Sequence, residues 1–125
     1  MTAPLDTVIV GGGQAGLALG HHLGRAGRRF AIVDRSVPSL PGINTILDEL
    51  IAALAHRETV YVHCWGGRGR TGTVVGCYLR RARGLAGLET LGVLAELTQH
   101  DPKAFWPEPE MDCQRKFIEQ WRNEP

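Results

Sequence analysis

The sequence predicts an α/β domain, a three-layer sandwich on a short, mostly parallel sheet, and three observations carry that prediction. Short runs rich in apolar residues, Thr7 to Val10, Phe30 to Val33 and Thr59 to His63, each lead into a loop of glycines, serines or prolines. Helical periodicity fills the stretches between them, which is the strand-helix-strand alternation of a parallel sheet. A length of 125 residues suits a single core, so residues 1–125 are expected to form one domain, with 7–35 a βαβ segment inside it.

The first unit runs from the strand Thr7 to Val10 through Gly11-Gly12-Gly13-Gln14-Ala15-Gly16 and a helical stretch to a second strand ending at Asp34. That order is a dinucleotide-binding fingerprint. Gly11 serves the tight turn, Gly13 the close approach of a pyrophosphate and Gly16 the packing of helix on strand, while Asp34 is placed for a ribose hydroxyl. Residues 7–35 resemble the opening of FAD-dependent oxidoreductases, which makes an FAD- or NAD-binding fragment one alternative reading. Such enzymes enclose the flavin in a much larger fold, and nothing after Arg35 continues the pattern. The expectation is therefore no cofactor, with a structural role for the glycines.

Ile43, Ile46, Leu47, Leu50, Ile51 and Leu54 keep an i, i+3, i+4, i+7 stripe and predict a helix over 42–56, followed by the strand Thr59 to His63. Val75, Tyr78, Leu79 and Ala82 mark another helix that stops near Gly84. Leu88, Leu91, Leu94 and Leu97 mark a third, and these leucine stripes read as core. Pro102, Pro107 and Pro109 confine 101–109 to a loop, since proline lacks the N–H that a helix or sheet interior needs. Phe117, Ile118 and Trp121 line a last helix, and Gln114 shares their face, so a polar amide is turned toward the core and needs a partner there.

The most informative stretch is His63-Cys64-Trp65-Gly66-Gly67-Arg68-Gly69-Arg70-Thr71-Gly72. Its Cys-x5-Arg spacing predicts a phosphate-binding loop. Gly66, Gly67 and Gly69 let the backbone N–H groups converge on one point, and the helix that starts near Arg70 adds its positive end. Arg70 closes the ring with a planar fork matched to two phosphate oxygens. The same field lowers a cysteine pKa from about 8.5 to roughly 3.5–7.5, so Cys64 is expected to be a thiolate nucleophile. Thr71 is placed to donate to the sulfur as it leaves in the second step, and His63 to shape the loop by hydrogen bonding. An ATP-binding P-loop is excluded, because that needs Gly-Lys-Ser/Thr where this chain has Arg70-Thr71.

Thr59 to Arg81, TVYVHCWGGRGRTGTVVGCYLRR, resembles the signature region of the dual-specificity and tyrosine phosphatase superfamily, above all its small bacterial members. VDRSVPS (Val33 to Ser39) is similar to the segment carrying that family's general acid, and EMDCQRKFIEQW (Glu110 to Trp121) to its closing helix. The resemblance implies a phosphomonoester hydrolase that works through a phosphocysteine without a metal. It also implies that Trp65, Gly66, Gly67, Arg68 and Gly69 surround the substrate phosphate, and that Gln114 positions the hydrolytic water. Substrates would be phosphorylated proteins or small phosphomonoesters. Arg68, inside the loop, resembles the basic residues of phosphoinositide phosphatases and adds lipid headgroups to the set.

A leaving alkoxide or phenoxide needs a proton, so some carboxylic acid must reach over the cradle from another loop. Asp34 is the candidate: it ends an apolar run and begins a Ser/Pro loop, where a parallel strand delivers side chains to the ligand edge. Asp48 falls on the polar side of the following helix, and Asp6 precedes the first strand at the opposite end of the sheet. A phosphate-binding pseudophosphatase, which keeps the cradle but turns nothing over, is the other alternative.

Fourteen basic against thirteen acidic residues give a formal charge of +1, so no global field recruits nucleic acid or a membrane surface. Arginines at 25–29 and 80–83 end helical patterns and suit the negative pole of the helix dipole. Cys64, Cys77 and Cys113 are odd in number and lack paired spacing, which argues against a metal site or disulfide framework and for a reducing compartment. With no basic region ahead of the first apolar run and no apolar run long enough to span a bilayer, a cytoplasmic location is expected.

Overall fold

The computed structural model describes residues 7–10, 27–30, 37–57, 61–63, 69–100 and 107–122. Three strands, β1 (Thr7–Val10), β2 (Gly27–Phe30) and β3 (Tyr61–His63), form a parallel sheet in the order β2-β1-β3. Val10 pairs with Phe30 on one side, and Ile9 with His63 on the other. The fold is α/β, with the first strand central and the strand that leads to Cys64 beside it. The second strand begins at Gly27, ahead of the apolar run that predicted it, and its last described residue is Phe30.

Helix α1 spans Leu40–Ala55, two residues earlier than its stripe suggests, because Ser39 caps it. Ser39 Oγ accepts from Gly42 N at 3.1 Å, and Pro41 stands in the first turn, where its missing N–H costs nothing. Helix α2 (Arg70–Arg83) ends at Gly84, whose φ of 64° is left-handed and whose N–H donates to Arg80 O. Helices α3 (Gly87–Leu97) and α4 (Asp112–Gln120) complete the described elements.

The core joins Ile43, Ile46, Leu47 and Leu50 of α1 to Val74, Cys77 and Leu79 of α2, Leu94 of α3, and Ile118 and Trp121 at the end of α4. The leucine stripes need correction. Leu88 and Leu97 are 75% and 67% exposed, and Leu54 is largely exposed on an apolar groove of about 200 Å³ that it shares with Leu50, Val62, Val75 and Tyr78. Leucines repeating strictly every third residue drift around a helix of 3.6 residues per turn, so Leu88 and Leu97 stand on opposite sides of α3. Only Leu94, with Thr90, faces the core fully.

Two glycines, Gly72 and Gly76, make one face of α2 flat. A Cβ at Gly72 would collide with Glu108, and one at Gly76 would press into the fully buried Ile118, so the segment 108–118 lies directly on the helix backbone. Arg80 fastens the far end: its Nη1 donates to Ile118 O at 2.6 Å and Glu119 O at 2.7 Å, at the carbonyl pole of α4. Arg81 donates to Asp48 at 2.7 Å and Asn44 at 3.2 Å, and its guanidinium lies 5.5 Å from the Trp121 ring. The arginines that end α2 thus tie α1, α2 and α4 together. Truncating a buried Ile118 would cost about 2–5 kcal/mol, whereas the Lys116–Asp112 pair, 3.0 Å apart, is exposed and screened by solvent and contributes little.

Burial pushes the Cys77 thiol up to about 12, against the opposing pull of Arg80 and Arg81. Cys77 therefore stays protonated in the folded state well after an unfolded thiol, at 9.0, has ionised. The unfolded state binds fewer protons through this window, so stability should fall as pH rises from about 9 to 12. Urea titrations across that range should show a shallower decline for Cys77→Ala than for the wild type, whatever the absolute cost of the lost side chain.

Candidate active site

Strand β3 delivers the chain to the carboxyl edge of the sheet next to β1, and α2 starts a few residues later. This is the edge where open parallel sheets bind ligands. Cys64, Trp65, Gly66, Gly67 and Arg68 lie outside the described residues, as do Asp34 and the glycines Gly11, Gly13 and Gly16. His63 is the last residue of β3, and Gly69, Arg70 and Thr71 open α2.

Gly69 is the N-cap of α2 and is buried. Its carbonyl accepts from Thr73 N at 3.0 Å and Thr73 Oγ1 at 2.8 Å, which fixes the first turn. Arg70, only 6% exposed, places its charge at the positive end of the helix, where an anion would meet both. Thr71 Oγ1 is buried with no hydrogen-bond partner among the described residues. A buried hydroxyl in that condition costs about 1–3 kcal/mol, so this one fits a donor kept for a reacting group.

Gln114 reaches the same place from the other side. It is fully buried, and its Oε1 accepts from Met111 N at 3.1 Å, half of a capping box at the start of α4. A Cβ on Gly69 would lie 2.9 Å from Gln114 Nε2 and 3.3 Å from Glu110 Oε1. The structure thus brings Gly69, Arg70, Thr71 and Gln114 into one neighbourhood.

Two residues there escaped the sequence reading. Glu108 is buried against Gly72, and Glu110 Oε1 stands where a side chain on Gly69 would meet it. Their only mark in the sequence is the alternation Pro107-Glu108-Pro109-Glu110, which reads as a solvated turn until the glycine face of α2 is known to lie beneath it. Cys113 is exposed at the start of α4. Among the described residues, no helix is long and apolar enough to cross a membrane.

Comparison with known proteins gives one family. The family described as Tc-R-P, polymorphic toxin system, DSP-PTPase phosphatase, matches residues 13–83, more than half of the chain. Among solved structures, Tk-PTP in its active form is similar at 26% identity and TM-score 0.72, over 94% of this chain and 80% of that one. A mutant form of Tk-PTP matches at 26% identity and TM-score 0.70, over 91% and 74%. Kinase associated phosphatase, with its catalytic-site cysteine substituted by serine, matches at 17% identity and TM-score 0.72, over 91% and 66%, a likeness of fold alone. The chain therefore belongs to the DSP-PTPase phosphatases of polymorphic toxin systems, and is a phosphomonoester hydrolase of the dual-specificity and tyrosine phosphatase type that works through a phosphocysteine.

Proposed function

We propose that Cys64 is the nucleophile, Asp34 the general acid, Arg70 the phosphate fork and Thr71 the donor to the departing sulfur. The observation that supports this assignment best is the opening of α2, where a buried Arg70 and the buried, unpartnered hydroxyl of Thr71 follow β3 at the ligand edge of the sheet. Cys64 attacks phosphorus in line, forming an S–P bond as the ester P–O bond breaks, and Asp34 protonates the leaving oxygen. Backbone N–H groups of Trp65, Gly66, Gly67, Arg68 and Gly69 hold the equatorial oxygens together with Arg70. Water then breaks the S–P bond, with Gln114 holding the water, Thr71 donating to the sulfur, and His63 bracing the loop from the strand end.

Phosphorylated protein side chains and small phosphomonoesters, phosphoinositides among them, are the substrates of this reading. It requires neither FAD nor NAD; Gly11, Gly13 and Gly16 serve the turn after β1. The strand order supports a three-layer sandwich within one domain. With β2 and β3 on either side of β1, the strand order reverses after β2, as in a doubly wound sheet. Among the described residues neither Cys77 nor Cys113 is in a disulfide, which supports a reducing, cytoplasmic setting.

Leaving-group dependence tests the assignment of Asp34. In buffer containing EDTA, Asp34→Asn should slow hydrolysis of alkyl or tyrosyl phosphates much more than that of a nitroaryl phosphate, whose leaving group scarcely needs a proton. The alkaline side of the rate profile should flatten as well. Equal slowing across leaving groups would reject Asp34 as the acid, and unchanged rates with weakened retention of FAD or NAD would assign it to a ribose instead.

A further inference from the structure

Prolines leave the turn before α4 short of donors. Pro107 and Pro109 have no N–H, so this stretch of backbone makes few bonds to itself and its carbonyls must find donors elsewhere. Pro109 is fully buried, its ring standing where a side chain on Gly72 of α2 would meet it. Arg115 supplies the donor: its Nη1 donates to Pro109 O at 2.6 Å, back across six residues of chain. The guanidinium also stands 3.7 Å from Asp112 Oδ1, too long and too exposed a pair to hold it, so the Pro109 carbonyl is its firm anchor.

The same turn fixes Gln114. Met111 N donates to Gln114 Oε1 at 3.1 Å, and because an N–H can meet only the oxygen of an amide, this bond decides which way the side chain is turned. The Nε2 end therefore lies toward Gly69, 2.9 Å from where a Cβ would stand on that N-cap of the cradle helix. Arg115 holds Pro109, two residues before Met111, and Met111 holds the fully buried amide. A turn that shifts carries the Met111 N–H with it, and the amide follows.

We propose that Arg115 is a positioning residue for the second step, pinning the turn at 109–111 so that Gln114 meets the attacking water in one orientation, a role that rests on Gln114 holding that water. In this step the water oxygen forms a new P–O bond as the S–P bond breaks. The water's proton passes to Asp34, and the bonding pair returns to the Cys64 sulfur. A fixed amide orients a water and leaves little room for a larger acceptor.

Partition of the phosphocysteine tests it. With a nitroaryl phosphate as substrate and glycerol as competing acceptor, the ratio of glycerol phosphate to inorganic phosphate reports the second step alone, whichever step limits turnover. Arg115→Ala should raise this ratio by about 5- to 10-fold and enlarge the burst of nitrophenolate, within the roughly 10²-fold cost of a group misplaced by about 1 Å. Arg115→Lys, which keeps a single donor for the carbonyl, should recover part of both. Ile118→Val loosens the same helix without touching the turn, and should leave the ratio within about 1.5-fold of wild type.

Gln114→Ala is the reference. A raised ratio in Gln114→Ala with an unchanged one in Arg115→Ala would overturn the proposal alone, whereas an unchanged ratio in both would overturn the water-holding reading and the proposal with it. The double variant should match Gln114→Ala within about twofold, since Arg115 acts through that amide, and effects that multiply would refute this route. A rise in Ile118→Val equal to that in Arg115→Ala would reduce Arg115 to general stability and overturn the proposal as well. Should Arg115→Ala fail to fold, Arg115→Lys carries the same comparison, with a smaller rise expected and no rise decisive against it.

Discussion

Cys64→Ser is expected to lower aryl phosphate hydrolysis by at least about four orders of magnitude while leaving substrate binding nearly intact. The reason is the nucleophile. In the proposed mechanism Cys64 attacks as a thiolate, the form that a helix amino end and a nearby arginine favour, whereas a serine hydroxyl in the same field stays protonated. The loop that holds the phosphate does not depend on sulfur, so calorimetric titration with a slowly turned-over phosphate ester should give a Kd within about tenfold of the wild-type KM. Activity that survives the substitution, above all activity abolished by EDTA, would sink the phosphocysteine mechanism. Tight binding by a wild-type protein with no turnover would instead identify a pseudophosphatase.

Arg70→Lys is expected to lose both affinity and rate, by about 10²–10³ in kcat with KM raised as well. A lysine keeps the charge but is a single point where arginine offers a planar fork, so one of two phosphate oxygens loses its donor in the ground state and in the transition state. The substitution therefore separates geometry from charge. A change in only one of the two kinetic constants, or in neither, would place Arg70 outside the cradle. Its near-complete burial makes a further point: a lysine there takes a compact, strongly hydrated charge into the same pocket, so thermal stability should be recorded alongside the kinetics.

Much of this architecture was legible in the sequence because it is written in local rules. The stripe from Ile43 to Leu54 gave α1, Gly84 marked the end of α2, and the strand ending at His63 and the helix opening at Arg70 stand where the pattern on either side of Cys64 puts them. Helix starts were less legible: the beginning of α1 depends on Ser39 and Pro41, polar and cyclic residues outside the hydrophobic pattern. Leu88 and Leu97 were misplaced because spacing alone does not say which part of a drifting stripe finds a neighbour. Glu108 was invisible for a deeper reason. Its burial depends on Gly72, remote in sequence, and no property of either residue alone announces the contact.

The glycine face of α2 has an evolutionary consequence. Gly72 and Gly76 are matched in shape to Glu108 and Ile118, so neither partner can change size by itself. Lineages that acquire a side chain on one segment must first, or simultaneously, give up volume on the other, which makes single-step paths at these positions steep and paired ones shallow. Divergence within the family should therefore proceed in correlated pairs along this seam, and a chimera that exchanges the cradle helix without the segment lying on it would combine two halves fitted to different partners.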